Sequence, residues 1–179
     1  MDKRTEKTKR SIANAFLQVR SKKDIERITV KELADLAEIS KATFYLHYKD
    51  IYDLSDQLSD KMIEDILLHI SQPENIIRNP ALFISELTDG FLSQKNLIDI
   101  LFSGSQNYIL PHKINNSIRS YIYQISPEYR DDARFSIRLS YSIKGCYYAF
   151  MDHHKDVDMP LILDEIKKLA KGTFSETEC

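Results

Sequence analysis

Between Lys41 and Lys49 the chain reads KATFYLHYK, which sets two amines, a threonine hydroxyl, an imidazole and two phenols within nine residues. If the run is helical, Phe44 and Tyr48 are four apart and face one way, leaving Lys41, Ala42, Thr43, Tyr45, Leu46 and His47 to face elsewhere. An outer face of Lys, Tyr, Leu and His suits water poorly. It suits a surface that offers phosphates at its edges and base edges and methyl groups between them, as the major groove of duplex DNA does, and that groove admits one α-helix.

The residues before it supply the support such a helix needs. Thr29 and Glu32 fit an S/T-x-x-E capping box, so a helix is expected from Val30. Val30, Leu33, Ala34 and Ala37 follow at i, i+3, i+4 and i+7, one apolar stripe on a helix of two turns. Ser40 is the next cap, and the three residues after Ala37 leave room only for a sharp turn. The second helix is predicted over Lys41–Tyr48. A preceding helix over Thr5–Ser21, with Ile12, Phe16 and Val19 on one face, closes a small core above Leu33, Ala37, Phe44 and Tyr48. Asp50, with Asp53 three residues on, starts a fourth helix whose stripe of Ile51, Leu54, Leu58, Met62 and Ile66 runs to about Ile70.

Taken whole, TVKELADLAEISKATFYLHYKDIYDL (29–54) resembles the DNA-binding motif of the tetracycline repressor (TetR/AcrR) family of bacterial transcription regulators, whose pattern is T-V-x-x-[IL]-A-x-x-A-G-[VI]-S-x-[GA]-T-[FL]-Y-x-[YH]-F-x-[SDN]-[KR]-[ED]-[ED]-L. The likeness spans the motif and fades beyond residue 70, where only length and helical character remain to compare. Glu38 stands where the family has glycine, Tyr48 replaces phenylalanine, and Ile51 and Tyr52 replace a charged pair. The resemblance implies an all-α fold: a three-helix DNA-binding domain over 1–50, a connecting helix over 51–70, and a helical effector-binding and dimerisation domain over 71–179. It also implies DNA contacts from Thr29, Lys41, Ala42, Thr43, Tyr45, Leu46, His47 and Lys49, with Thr43, His47 and Lys49 mainly on phosphates. Lys49, at the start of the fourth helix, would combine its charge with the helix N-terminus. Lys41 is suited to guanine acceptors, Ala42 or Leu46 to a thymine methyl, and Tyr45 offers ring and hydroxyl.

Charge divides along the 179 residues in a way that fits. Residues 1–50 carry 12 Lys and Arg against 8 Asp and Glu, a net +4, while the remainder carries 13 against 19, a net −6. A basic end on a chain of net charge −2 points to a local polyanion contact and argues against one spread over the whole surface. Hydrophobic content of 42% and charged content of 29% are those of a globular protein with a real core. Cys146 and Cys179 lack metal spacing and are too few for a disulfide framework. With no signal peptide and no run of 18 apolar residues, a cytoplasmic protein is expected.

Beyond residue 70 the pattern stays helical. Stripes recur at Ile84, Leu87 and Phe91; at Leu97, Ile98, Leu101 and Phe102; and at Ile114, Ile118, Tyr121, Ile122 and Ile125. A long helix is predicted from Pro127 to about His154, with Phe135, Leu139, Ile143, Tyr147 and Phe150 inward, and a last one from Pro160 to Gly172. About nine helices result. One recognition helix touches few base pairs, so a homodimer on a near-palindromic operator is expected. The resemblance places the dimer face on the last two helices, where Tyr147, Phe150, Met151, Ile162, Ile166 and Leu169 are the candidates. It also implies a small-molecule effector, for which Tyr108, Tyr121, Tyr123, Tyr141, Tyr147 and Tyr148 are candidate lining residues. Neither a cofactor nor a metal is expected. His153 and His154 point about 100° apart on a helix, a poor chelate, and the chain has no nucleophile elbow, phosphate loop or H-E-x-x-H run, so an enzyme is not expected. The alternative reading is an adaptor or activator of this fold that works through a protein partner without a small-molecule effector.

Overall fold

A computed structural model describes residues 3–72 and 75–174, the side chain of residue 77 apart. Among these residues the fold is all-α, without strands. The helices are α1 (Lys3–Arg20), α2 (Val30–Leu36), α3 (Lys41–Tyr45), α4 (Ile51–Leu68), α5 (Asn75–Arg78), α6 (Pro80–Ser93), α7 (Lys95–Leu101), α8 (Leu110–Ile125), α9 (Ala133–His153) and α10 (Met159–Phe174). The α5 segment is a single turn; the other nine are longer. The described residues divide into two compact units. One holds those up to Met62 together with Lys95–Asn107, the other Ile63–Gln94 together with those from Tyr108 on.

In the first unit α1 buries Ile12, Ala15, Phe16 and Val19, the i, i+3, i+4, i+7 stripe of an amphipathic helix. Leu33 and Ala34 of α2, Phe44 of α3 and Leu54 of α4 are buried in the same unit. Each large side chain so removed from water contributes about 1.5–3 kcal/mol. The Lys95–Asn107 segment belongs to this unit, where it buries Leu101 and Phe102 and makes polar ties. Arg20 is only 3% exposed. It donates through Nη1 to the Lys23 carbonyl at 3.1 Å and through Nη2 to the Ser103 carbonyl at 2.8 Å. Gly104 has φ of +56°, and a Cβ there would lie 2.5 Å from Asp24 Oδ1, so glycine meets both the backbone and the spatial demand. Ser105 Oγ donates to Glu26, and this bond is the first cause holding the Glu26 carboxyl below its ordinary value.

In the second unit α10 packs on α6 and α9, and α8 packs on α9. Ile114, Ile118 and Ile122 of α8, Phe135, Leu139 and Ile143 of α9, and Ile162, Ile166 and Ala170 of α10 form its interior. Helix boundaries in this unit differ from expectation. The long helix starts at Ala133, because Pro127–Tyr129 make a separate 3₁₀ turn and the Asp132 carboxylate accepts from the Phe135 amide at 3.0 Å, an N-cap five residues after the proline. The last helix runs past Gly172 to Phe174.

Candidate nucleic-acid interface

The helix–turn–helix is built by local hydrogen bonds. Thr29 Oγ1 accepts from the Glu32 amide at 3.2 Å and starts α2. The reciprocal arm of the capping box is not made: the Glu32 carboxylate takes the Lys23 ammonium at 2.7 Å instead. After α2 the chain reverses through Glu38, the one non-glycine residue with positive φ (+55°) among the described residues, and the Ile39 amide reaches back to the Ala34 carbonyl at 3.0 Å. A left-handed glutamate costs about 1 kcal/mol relative to glycine, which the surrounding bonds offset. Ser40 then caps α3, its Oγ accepting from the Thr43 amide at 3.0 Å and lying 2.9 Å from Thr43 Oγ1.

Regular helix ends at Tyr45 rather than Tyr48, although the Leu46 and Tyr48 amides still bond four residues back to Ala42 and Phe44. Leu46 and His47 sit in the closing turn. Phe44 is fully buried and Tyr48 nearly so, their rings 5.7 Å apart. Burial raises the Tyr48 phenol, with the Asp53 and Glu6 charges adding to the effect. Those two rings anchor the element inward.

Everything opposite them is outward. Lys41 and Ala42 are exposed, Tyr45 is 56% exposed and Leu46 80%. Thr43 and His47 are half-buried on the flanks, and Lys49 and Thr29 are exposed. Positions 41, 42, 45 and 46 share one helix face. Leu36, at the end of α2, is also exposed (44%) rather than enclosed at the helix crossing. Lys49 is tied by its backbone to the start of α4. Its amide donates to Asp53 Oδ2 at 2.8 Å, and the Asp53 amide donates to Asp50 Oδ1 at 2.8 Å. The Asp53 amide in the first turn of α4 and the Lys49 amide before it are thereby each held by a carboxylate, and Lys49 itself is exposed. The Lys49 amide, followed by the Gln57 side chain, holds the Asp53 carboxyl below its ordinary value.

The other expected residues lie in the second unit. Tyr108 and Tyr141 are exposed, while Tyr121, Tyr123 and Tyr147 are half-buried and Tyr148 is 48% exposed. None of them lines the cleft of about 400 Å³ formed by Asp65, Ile66, His69, Glu86, Asp89, Gly90, Ser93 and Gln94. Of the six dimer-face candidates, Ile162 and Ile166 are buried in their own subunit, Tyr147 and Phe150 are half-buried, and Met151 and Leu169 are exposed. Helical periodicity puts Ile162, Ile166 and Leu169 on one stripe, but α10 turns the first two against its neighbours and leaves the third outside. Periodicity did not single out Ile137, 69% exposed, which lies one turn before the exposed Tyr141 on α9. His154 packs its ring on Phe150 at 5.4 Å, with Nδ1 2.9 Å from the Met151 carbonyl, a packing role at a helix end. Burial pushes the Cys146 thiol up to about 11, an unreactive state near neutrality; Cys179 lies outside the described residues. No helix among the described residues is long and apolar enough to cross a membrane.

No family model matches the chain. Over 61 residues it is 30% identical to YxbF, an uncharacterized HTH-type transcriptional regulator of Bacillus subtilis (strain 168). That similarity takes in 34% of this chain and 16% of the length of the Bacillus protein.

Proposed function

We propose that this chain is a DNA-binding transcription regulator of the tetracycline repressor family. In this reading it is a cytoplasmic homodimer that represses from a near-palindromic operator and is released by a small-molecule effector bound in its second unit. One observation carries the DNA-binding part: Lys41, Ala42, Tyr45 and Leu46 stand outward on a short helix that Phe44 and Tyr48 pin to the core, at the end of the chain that is net positive. The likeness to an HTH-type regulator supports the same class. On this reading Lys41, Ala42, Tyr45 and Leu46 enter the major groove, Thr29, Thr43 and His47 flank it, and the Lys49 ammonium meets a phosphate.

Two copies are required because a single helix reads too few base pairs, and their α3 helices must lie about 34–36 Å apart, or a multiple of that, to address one face of the duplex. The apolar side chains left outward on α9 and α10, among them Ile137, Tyr141 and Leu169, support that pairing. Release by an effector demands unequal affinity for the two states of the dimer.

Selection of bound fragments from random duplex DNA by the purified full chain tests the reading. A palindromic consensus is expected, with affinity falling steeply as salt rises. The Lys49→Ala dimer should lose close to two units of the salt slope, about 0.9 for each phosphate contact. Tyr45→Ala should weaken binding at least about tenfold at fixed salt, with the thermal midpoint unchanged. Wild-type affinity in both variants would remove α3 from the interface.

A further inference from the structure

The nine residues from Lys41 to Lys49 contain no Arg, Asn, Gln, Asp or Glu. Apart from lysine on guanine, these are the side chains that pair with guanine and adenine edges in two-bond geometry or accept from cytosine. Of the hydroxyls, Thr43 Oγ1 is already held 2.9 Å from Ser40 Oγ. Beside the Lys41 ammonium and the Tyr45 hydroxyl, what the outward face offers is apolar: Leu46 at 80% exposure, Ala42 one turn before it, and the Tyr45 ring between them. A lone exposed leucine would call for no explanation. This one sits on a face bracketed by the exposed Lys41 and Lys49, in the part of the chain with a net charge of +4.

We infer that α3 specifies its DNA half-site chiefly through thymine 5-methyl groups packed on Leu46 and Ala42, with Lys41 the principal hydrogen-bond donor to base edges. This rests on the DNA-binding reading above and names what that site reads. The thymine methyl is the one apolar feature a base pair shows in the major groove. Ala42 and Leu46 are four residues apart, about 6 Å along the helix, close to the rise of two base pairs. The two side chains therefore address two positions of one half-site.

The test uses the duplex selected by the full chain. Each thymine is replaced by deoxyuridine, symmetrically in both half-sites, and binding is followed by fluorescence anisotropy at fixed salt. Deoxyuridine keeps the pairing and the O4 acceptor and loses only the methyl. Burial of one methyl corresponds to about a fourfold change in affinity, so symmetric replacement at a read position should weaken wild-type binding by about 15-fold. Leu46→Ala should bind the thymine and deoxyuridine duplexes alike at one such position. Because Leu46 is 80% exposed, its thermal midpoint should stay at the wild-type value. Binding of both duplexes within twofold at every position, or a Leu46→Ala variant that keeps the full ratio throughout, overturns the inference while leaving the DNA-binding reading intact. Failure to select any duplex takes down both.

Discussion

The two units bury apolar stripes by the same rule and differ in what they leave outside. In the first, the outward face of α3 mixes Leu46 and Tyr45 with Lys41, and Lys49 stands nearby. In the second, the outward residues of α9 and α10 include Ile137, Tyr141, Leu161 and Leu169, exposed by 54–72%. Gly145, on α9 between Tyr141 and Tyr148, has nothing within 4 Å of where a Cβ would sit. An apolar surface edged with cations matches a polyanion that also carries methyl groups. Outward apolar residues on α9, with a glycine among them that leaves open space, are of the kind that another protein surface covers in the dimer proposed above. One chain thus keeps two kinds of outward face, and the proposed function assigns DNA to the first and a second copy of the chain to the other.

The largest effect expected separates the two cores. Phe44→Ala empties the centre of the first unit and should cost about 3–5 kcal/mol, and Leu139→Ala in the second should cost about 2–5 kcal/mol. Followed by urea titration with probes in each unit, Phe44→Ala should move the first unit's transition and Leu139→Ala the second's. If either variant shifts one coincident transition for both probes, the units unfold together and the contrast between them is one of surface alone.

Next in size is the apolar face. Tyr141→Glu places a carboxylate on it and should weaken self-association at least about 100-fold, or about 2.7 kcal/mol, with no change in the urea midpoint of the dilute protein. Sedimentation equilibrium reads this directly. A wild-type chain that stays monomeric at tens of micromolar, or a Tyr141→Glu chain that pairs as well as wild type, would leave the second outward face without its partner.

How far the sequence foretells each region follows from the range of the interactions. The caps at Thr29, Ser40 and Asp50 act within three residues, and each is found where its residue type and spacing put it. The inward pair Phe44 and Tyr48 follows from a spacing of four. Longer links leave no such trace. Nothing local says that the Glu32 carboxylate goes to Lys23, or that Arg20 reaches a carbonyl 83 residues away. Pro127 marks a helix start by its residue type, but the helix begins at Ala133, where the Asp132 carboxylate bonds the third amide. On α10 a single periodic stripe holds both interior and exterior residues, because the register depends on which neighbours arrive, and these come from distant sequence.

A smaller effect probes the tie between the first unit and its inserted segment. Gly104→Ala forces an L-residue to φ of +56° and sets a Cβ 2.5 Å from Asp24 Oδ1. The Asp24 side chain is 56% exposed, so it can swing aside, and the backbone strain of about 1–2 kcal/mol is what remains. The thermal midpoint should fall by roughly 2–8 °C. An unchanged midpoint would mean that the Ser103–Ser105 turn is free to leave Arg20 and Glu26, and that the segment is not a fixed part of this unit.

The smallest effect lies where the recognition element meets α4. The Asp53 carboxyl is held below its ordinary value of 3.8 chiefly by the Lys49 amide. A depressed folded value means that the unfolded chain takes up the proton first as pH falls. The contribution is therefore complete above the unfolded value and is lost as pH drops below about 3.8 and through the folded value. Asp53→Asn keeps an acceptor but no charge at the helix N-terminus, which should cost about 0.3–1 kcal/mol at neutral pH, nearer the lower figure for so open a site. The difference between wild type and variant, measured by urea titration from pH 6 to pH 3, should shrink over the acid end of that range. A difference that stays constant would place the effect in packing rather than charge. The Lys49 amide would then be held by geometry alone, and its ammonium would be no better positioned toward a phosphate than any other exposed lysine on the first unit.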